Sequence, residues 1–200
     1  IELRDLNVRT SLRDGVLTIL HAGARGPTGR FDIRGSIDPA AGEGRVGLEV
    51  LARDLTLQPN RDDADPRVRA DIALRLDSTG NDLRTLAARS DGHVYVHTRG
   101  GRMFRNRLLQ TIYGDMLGEI LGTINPFYRE SKEDRLECIV VPLSVTDGQV
   151  SSPANVFART DKLNIVARPE LNFATEAIDI TFRTMPRKGL TISAAEVLNP

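Results

Sequence analysis

Val68-Arg69-Ala70-Asp71-Ile72-Ala73-Leu74-Arg75-Leu76 changes character at nearly every residue. Val68, Ala70, Ile72, Leu74 and Leu76 are apolar, and Arg67, Arg69, Asp71, Ala73 and Arg75 stand between them. Successive side chains on a strand point to opposite faces, so a period of two marks a strand with one dry and one wet side. The same period recurs on both sides of this stretch. Upstream, Phe31, Ile33, Gly35 and Ile37 alternate with Asp32, Arg34 and Ser36, and Val46, Leu48 and Val50 with Gly47 and Glu49. Downstream, Val94 and Val96 alternate with His93, Tyr95 and His97. Leu163, Ile165 and Ala167 follow the rule, as do Ile178, Ile180 and Phe182.

Asp14-Gly15, Asp91-Gly92 and Asp147-Gly148 punctuate these runs. Asp-Gly pairs favour the positive backbone angles of tight hairpins, so each is expected to be a turn. Pro39, Gly42 and Gly44 separate another strand pair. Short connections imply antiparallel pairing. The predicted class is mainly β with minor α: a curved antiparallel sheet whose dry face must be covered by a second sheet, by helices or by a ligand.

Two segments carry a helical period. Asn81 to Ala88 is short, with Leu83, Leu86 and Ala87 on one side. The longer one runs from Met103 to Ile124, where Phe104, Leu108, Ile112, Met116, Ile120 and Ile124 recur every four residues. Gly114, Gly118 and Gly122 form a small-residue stripe at that spacing, and Asp115 and Glu119 between them disfavour a membrane span. Phe104, Leu108, Ile112, Met116, Gly114 and Gly118 are therefore candidates for tight packing on the sheet or for membrane contact. Arg102, Arg105 and Arg107 oppose the helix dipole at its start. They are either solvated or placed to meet phospholipid headgroups. Arg61 to Pro66 and the 125–135 stretch are candidate hinges.

Composition removes several function classes. Lysine plus arginine equals aspartate plus glutamate at 27 each, so the basic excess that gives nucleic-acid affinity is missing. Aromatic residues make up 4%, with no tryptophan, which removes most of the surface on which bases stack. No run approaches the roughly 20 apolar residues of a spanning helix. The chain opens at Ile1 inside a strand pattern, with no initiator methionine or signal peptide. It is expected to be a segment of a longer protein.

Motifs that carry chemistry fail on context. Gly42-Glu43-Gly44-Arg45-Val46-Gly47 matches the dinucleotide fingerprint, yet Val46 to Val50 continues as a strand where a helix should open. His93 and His97 lie on one strand face roughly 13 Å apart, too far to share a metal. His21 stands alone. Asp62, Asp63 and Asp65 lack the glycine and downstream glutamate of a calcium loop. Cys138 cannot pair internally, and its apolar run Leu136 to Val141 reads as a small buried hydrophobe without a histidine or positive environment. No catalytic constellation emerges, and neither a cofactor nor a metal is expected.

The residues from about 80 onward resemble the C-terminal region of the AsmA family. Gly80 to Ala88 followed by Asp91-Gly92-His93-Val94 is similar to that family's short helix leading into a strand. Leu136 to Leu143 and then Val145-Thr146-Asp147-Gly148-Gln149-Val150 resemble its cysteine strand and Asp-Gly hairpin. Phe157 to Ala167 and Leu171 to Ile180 look like its strand pair ending in Ala174-Thr175-Glu176, and Met185 to Gly189 closes similarly. Residues 1–60 resemble the preceding strand block more loosely. Arg168-Pro169-Glu170 departs from the family, which carries a glycine-rich turn there.

The resemblance implies residues 67–200 as an AsmA-like C-terminal region, with 1–60 continuing a sheet from outside the chain. It further implies a periplasmic location, tethered to the inner membrane by a segment elsewhere. Its implied role is phospholipid movement towards the outer membrane along a hydrophobic groove. The aliphatic rows Val46, Leu48, Val50, Ile72, Leu74 and Leu76 are the groove candidates; the competing reading of each is ordinary core. The expected partners are phospholipid or a membrane surface, with no nucleic acid. The rival role is a non-catalytic scaffold that influences outer-membrane protein assembly without carrying lipid.

Overall fold

The computed structural model describes residues 4–39, 42–56, 68–103 and 134–187. The first five strands are β1 (Arg4–Arg13), β2 (Val16–Gly26), β3 (Gly29–Asp38), β4 (Arg45–Thr56) and β5 (Arg69–Thr79). A single turn-and-a-half helix, α1 (Leu83–Ala88), leads into β6 (Asp91–Met103). Then come β7 (Asp134–Thr146), β8 (Gln149–Ser151), β9 (Val156–Thr160), β10 (Leu163–Asn172) and β11 (Ala177–Pro186).

All eleven strands join one sheet, and every pair is antiparallel. The order follows the chain: β1-β2-β3-β4-β5-β6-β7-β8-β10-β11, with β9 beside β8 between β7 and β10. β8 and β9 thus share one strand position, interrupted at Ser152–Asn155. Among the described residues there is no second sheet.

Local chemistry accounts for the reversals. Asp14 and Gly15 (φ 51° and 81°) and Asp147 and Gly148 (φ 47° and 67°) both take the paired left-handed angles of a type I′ hairpin, as the Asp-Gly pattern requires. Asp91-Gly92 does not. Both residues lie inside β6, because α1 and its flanks already reverse the chain there. Gly92 serves a different need: a Cβ on it would fall 1.9 Å from the Arg75 carbonyl oxygen. The glycine-rich stretch Gly42 to Gly47 turns and runs straight into β4, with Gly42 at φ 76°.

Two further expectations shift. Arg168-Pro169-Glu170 is continuous strand in β10, with Pro169 opposite Ile180. Its missing N–H costs no pairing on the other side, because the ladder there passes from β9 at Ala167 to β8 at Glu170. Ala174-Thr175-Glu176 forms the turn between β10 and β11.

α1 is the only helix among the described residues. Asp82 caps it, accepting from the Thr85 amide at 2.8 Å. The longer helix expected over Met103 to Ile124 is not supported: Met103 ends β6 as strand, and the remainder lies outside the described residues. So do Phe104, Leu108, Ile112, Met116, Gly114 and Gly118, and both candidate hinges apart from Asp134 and Arg135, which open β7.

Candidate functional site

Register converts the alternating pattern into a surface. Leu48 stands opposite Leu76, and Val50 opposite Leu74, across β4 and β5. Ile72 is opposite Ala52, and Val46 opposite Ser78. Residues facing each other across antiparallel strands share a side of the sheet. All six groove candidates therefore lie on one face.

That face extends far beyond them. One row runs Thr10, Ile19, Gly35, Leu48, Leu76, Gly92, Val145, Val150, Leu171, Ile178, crossing all ten strand positions. At about 4.8 Å per step this row is roughly 40 Å long. A second row runs Val8, Ala22, Ile33, Val50, Leu74, Val94, Leu143. A third adds Ala24, Phe31, Ala52, Ile72, Val96 and Val141. The most buried side chains, among them Ala24, Ala52, Ala70 and Val145, lie on this face. Most of its larger residues in the central strands are only half-buried. Exposure rises to 58% at Val8 and 68% at Ile178 on the two outer strands.

The one polar residue buried deep in this face is satisfied. Thr98 is opposite both Ala70 and Ile139, and its hydroxyl oxygen accepts the Ile139 amide at 2.7 Å. A threonine here keeps the surface dry without leaving an orphaned group.

The other face is charged. Arg34, Glu49, Arg75 and His93 form one cross-strand row, with alternating sign up to the histidine. His93 and His97 flank Tyr95 on this face, as the strand period requires. Among the described residues no group of three or more histidines, cysteines or carboxylates gathers as a metal would need. His21 is not alone: its Nδ1 lies 2.6 Å from Asp32, which also holds Arg34 at 3.5 Å.

Cys138 corrects its expectation. It is half-buried on the polar face, opposite Arg99 on one side and Arg159 on the other. A positive environment is present, but those charges are already engaged. Glu137 accepts from Arg159 at 2.6 Å and from Arg187, while Asp54 and Asp71 hold Arg99. The Arg187 hydrogen bond is the main reason the Glu137 carboxyl is held below the usual glutamate value.

α1 closes one end of the sheet. Its Arg84 pairs with Glu176 in the β10–β11 turn, and Arg89, just after it, pairs with Glu43 before β4. Gly148 donates to the Ser90 carbonyl at 2.9 Å, and Asp147 donates to the Asp91 carboxylate at 3.1 Å. The helix is thus bound to three neighbouring reversals, and its Leu86 carbonyl accepts from the hydroxyl of Ser78, which stands opposite Val46 on the apolar face, so α1 covers that end of the rows.

The alternation that puts the six candidates on one face was legible in the sequence; the width of that face was not. Val94, Val96, Ile139, Val141 and Leu143 extend the dry side through the same period of two, but only register shows that they continue it. No helix among the described residues is long and apolar enough to cross a membrane. No protein-family model, curated protein or solved structure matches this chain.

Proposed function

We propose that this chain is a non-enzymatic, AsmA-like segment that holds and conducts phospholipid acyl chains along the apolar face of its sheet. One observation carries the reading. One row of the dry face crosses every strand position of a single sheet and parallel apolar rows accompany it through the central strands, with no second sheet over them among the described residues. A sheet normally buries such a face against another layer. Here fatty chains are the covering layer, and the sheet curves around them as a groove. Each methylene removed from water contributes about 0.8 kcal/mol, so aliphatic rows hold a chain without polar recognition. Low specificity along the row also suits movement, since each position resembles the next.

The reading places the protein in the bacterial periplasm, supporting outer-membrane biogenesis, as the AsmA resemblance implies. Native mass spectrometry after mild purification tests it. Copurified phospholipid, lost on substitution of Leu74 by aspartate in a folded chain, is the expected result. A lipid-free protein whose Leu74→Asp variant unfolds would assign the rows to an internal core instead.

A further inference from the structure

The polar face carries an arrangement that sheets avoid. Arg4 stands opposite Arg25, Arg25 opposite Arg30, and Arg30 opposite Arg53, across β1 to β4. Like charges directly opposed on neighbouring strands destabilise a sheet. Elsewhere on this face such repulsion is relieved. Arg69 stands opposite Arg99, but Asp54 pairs with both and Asp71 with Arg99. Asp77 stands opposite Asp91, but Asp77 holds Arg75 at 3.3 Å and Asp91 accepts the Asp147 amide.

Arg25, Arg30 and Arg53 have no such relief. All three are exposed, and among the described residues none of their side chains makes an ion pair or hydrogen bond. Two of the nearby carboxylates are engaged elsewhere: Asp54 pairs with Arg69 and Arg99, and Asp32 with His21 and Arg34. The three arginines line an open concavity of about 960 Å³, with Arg9 and Arg34 adding positive charge and Asp5 and Asp32 partly opposing it. They sit at the β2–β3 turn end of the strands, opposite the end that α1 closes. Each is also the chain neighbour of a residue on the apolar face: Ala24, Phe31 and Ala52.

We propose that Arg25, Arg30 and Arg53 dock this end of the sheet on an anionic bilayer by binding the phosphates of its lipid headgroups. The guanidinium fork matches phosphate oxygens in pairs, and its weak hydration favours contact at a surface. Three opposed arginines, Arg25, Arg30 and Arg53, kept without a partner at a cost to the sheet are the kind of local conflict that binding sites show. The proposal rests on the acyl-chain reading for its purpose: a lipid leaving the bilayer here finds the dry face one residue away.

The test compares vesicles of phosphatidylcholine doped with phosphatidylglycerol against pure phosphatidylcholine, read by co-flotation. The chain should favour the doped vesicles, and added salt should weaken that preference. Replacing all three arginines by glutamine should cost on the order of a hundredfold in binding, from roughly fivefold per arginine at an anionic surface. The triple variant should melt at the same or a higher temperature, because repulsion is removed. Equal binding to both vesicles, or unchanged binding by the variant, overturns the proposal. A lower melting temperature overturns it too, since the row would then be structural. So does saturation by inorganic phosphate without vesicle binding, which would make free phosphate the ligand. Leu74→Asp, on the other face, should keep the vesicle preference, so this proposal and the acyl-chain reading fail separately.

Discussion

Gly92 in β6 passes so close to Arg75 in β5 that a side chain at position 92 would overlap the Arg75 carbonyl, at 1.9 Å. Its φ of 152° adds a backbone angle that side chains resist. Gly92→Ala should therefore push β6 away from β5 and destabilise the sheet by about 2 kcal/mol or more. A urea melt read by circular dichroism checks this, with Gly15→Ala as the comparison. Gly15 has open space around it and carries only the cost of its positive φ.

Leu74 tests the dry face. It lies between Val50 and Val94 in the middle of the second apolar row and is half-buried. Leu74→Ala should cost about 1 kcal/mol, roughly half the value of a fully buried leucine. Leu74→Asp should leave the circular-dichroism spectrum strand-rich but abolish lipid retention in native mass spectrometry. Ile180 on the outermost strand, 53% exposed, should tolerate the same change with a smaller loss.

Glu137 gives a pH signature. Its carboxyl is held below the ordinary 4.5 by Arg187 and then Arg159. A folded pKa below the unfolded one means a contribution that is complete above the unfolded value and lost as pH falls through the folded one. Thermal melts should thus show a full and constant share from this group between pH 5 and 7 and a falling share below about 4.5. Glu137→Gln should flatten that acid limb and cost stability at neutral pH.

Asp82 decides whether α1 forms. Its carboxylate accepts from both the Thr85 amide and the Thr85 hydroxyl at 2.8 Å, and the amide bond is the leading cause of its lowered pKa. Asp82→Ala should speed amide hydrogen exchange at Thr85 and Leu86, whereas Asp82→Asn, which keeps a capping oxygen, should restore much of the protection. Acidification through the lowered carboxyl value should mimic the alanine variant.

The strands were legible because burial on one side imposes a period of two, and residues such as Ile72, Leu74 and Leu76 obey it without exception. Asp14-Gly15 and Asp147-Gly148 were legible because few dipeptides accept two positive φ angles. Asp91-Gly92 misled for the same reason: glycine is also required where backbones nearly touch, and composition does not separate the two needs. The alignment of Arg25, Arg30 and Arg53 was hidden. It depends on the register of three strands across two hairpins, which no periodicity encodes. Cys138 misled because the apolar run around it belongs to both faces: Val140 shares its side, while Ile139 and Val141 lie on the other.

In this sheet almost every strand takes its partners from the strands just before and after it in the chain. Among the described residues no strand closes a ring, and no distant segment must arrive before a neighbour can pair. A hairpin inserted anywhere along such a meander lengthens the ribbon by two rungs and leaves the rest of the register untouched. Evolution can therefore set the reach of this molecule as one sets a ladder, by the number of rungs, without redesigning any existing contact.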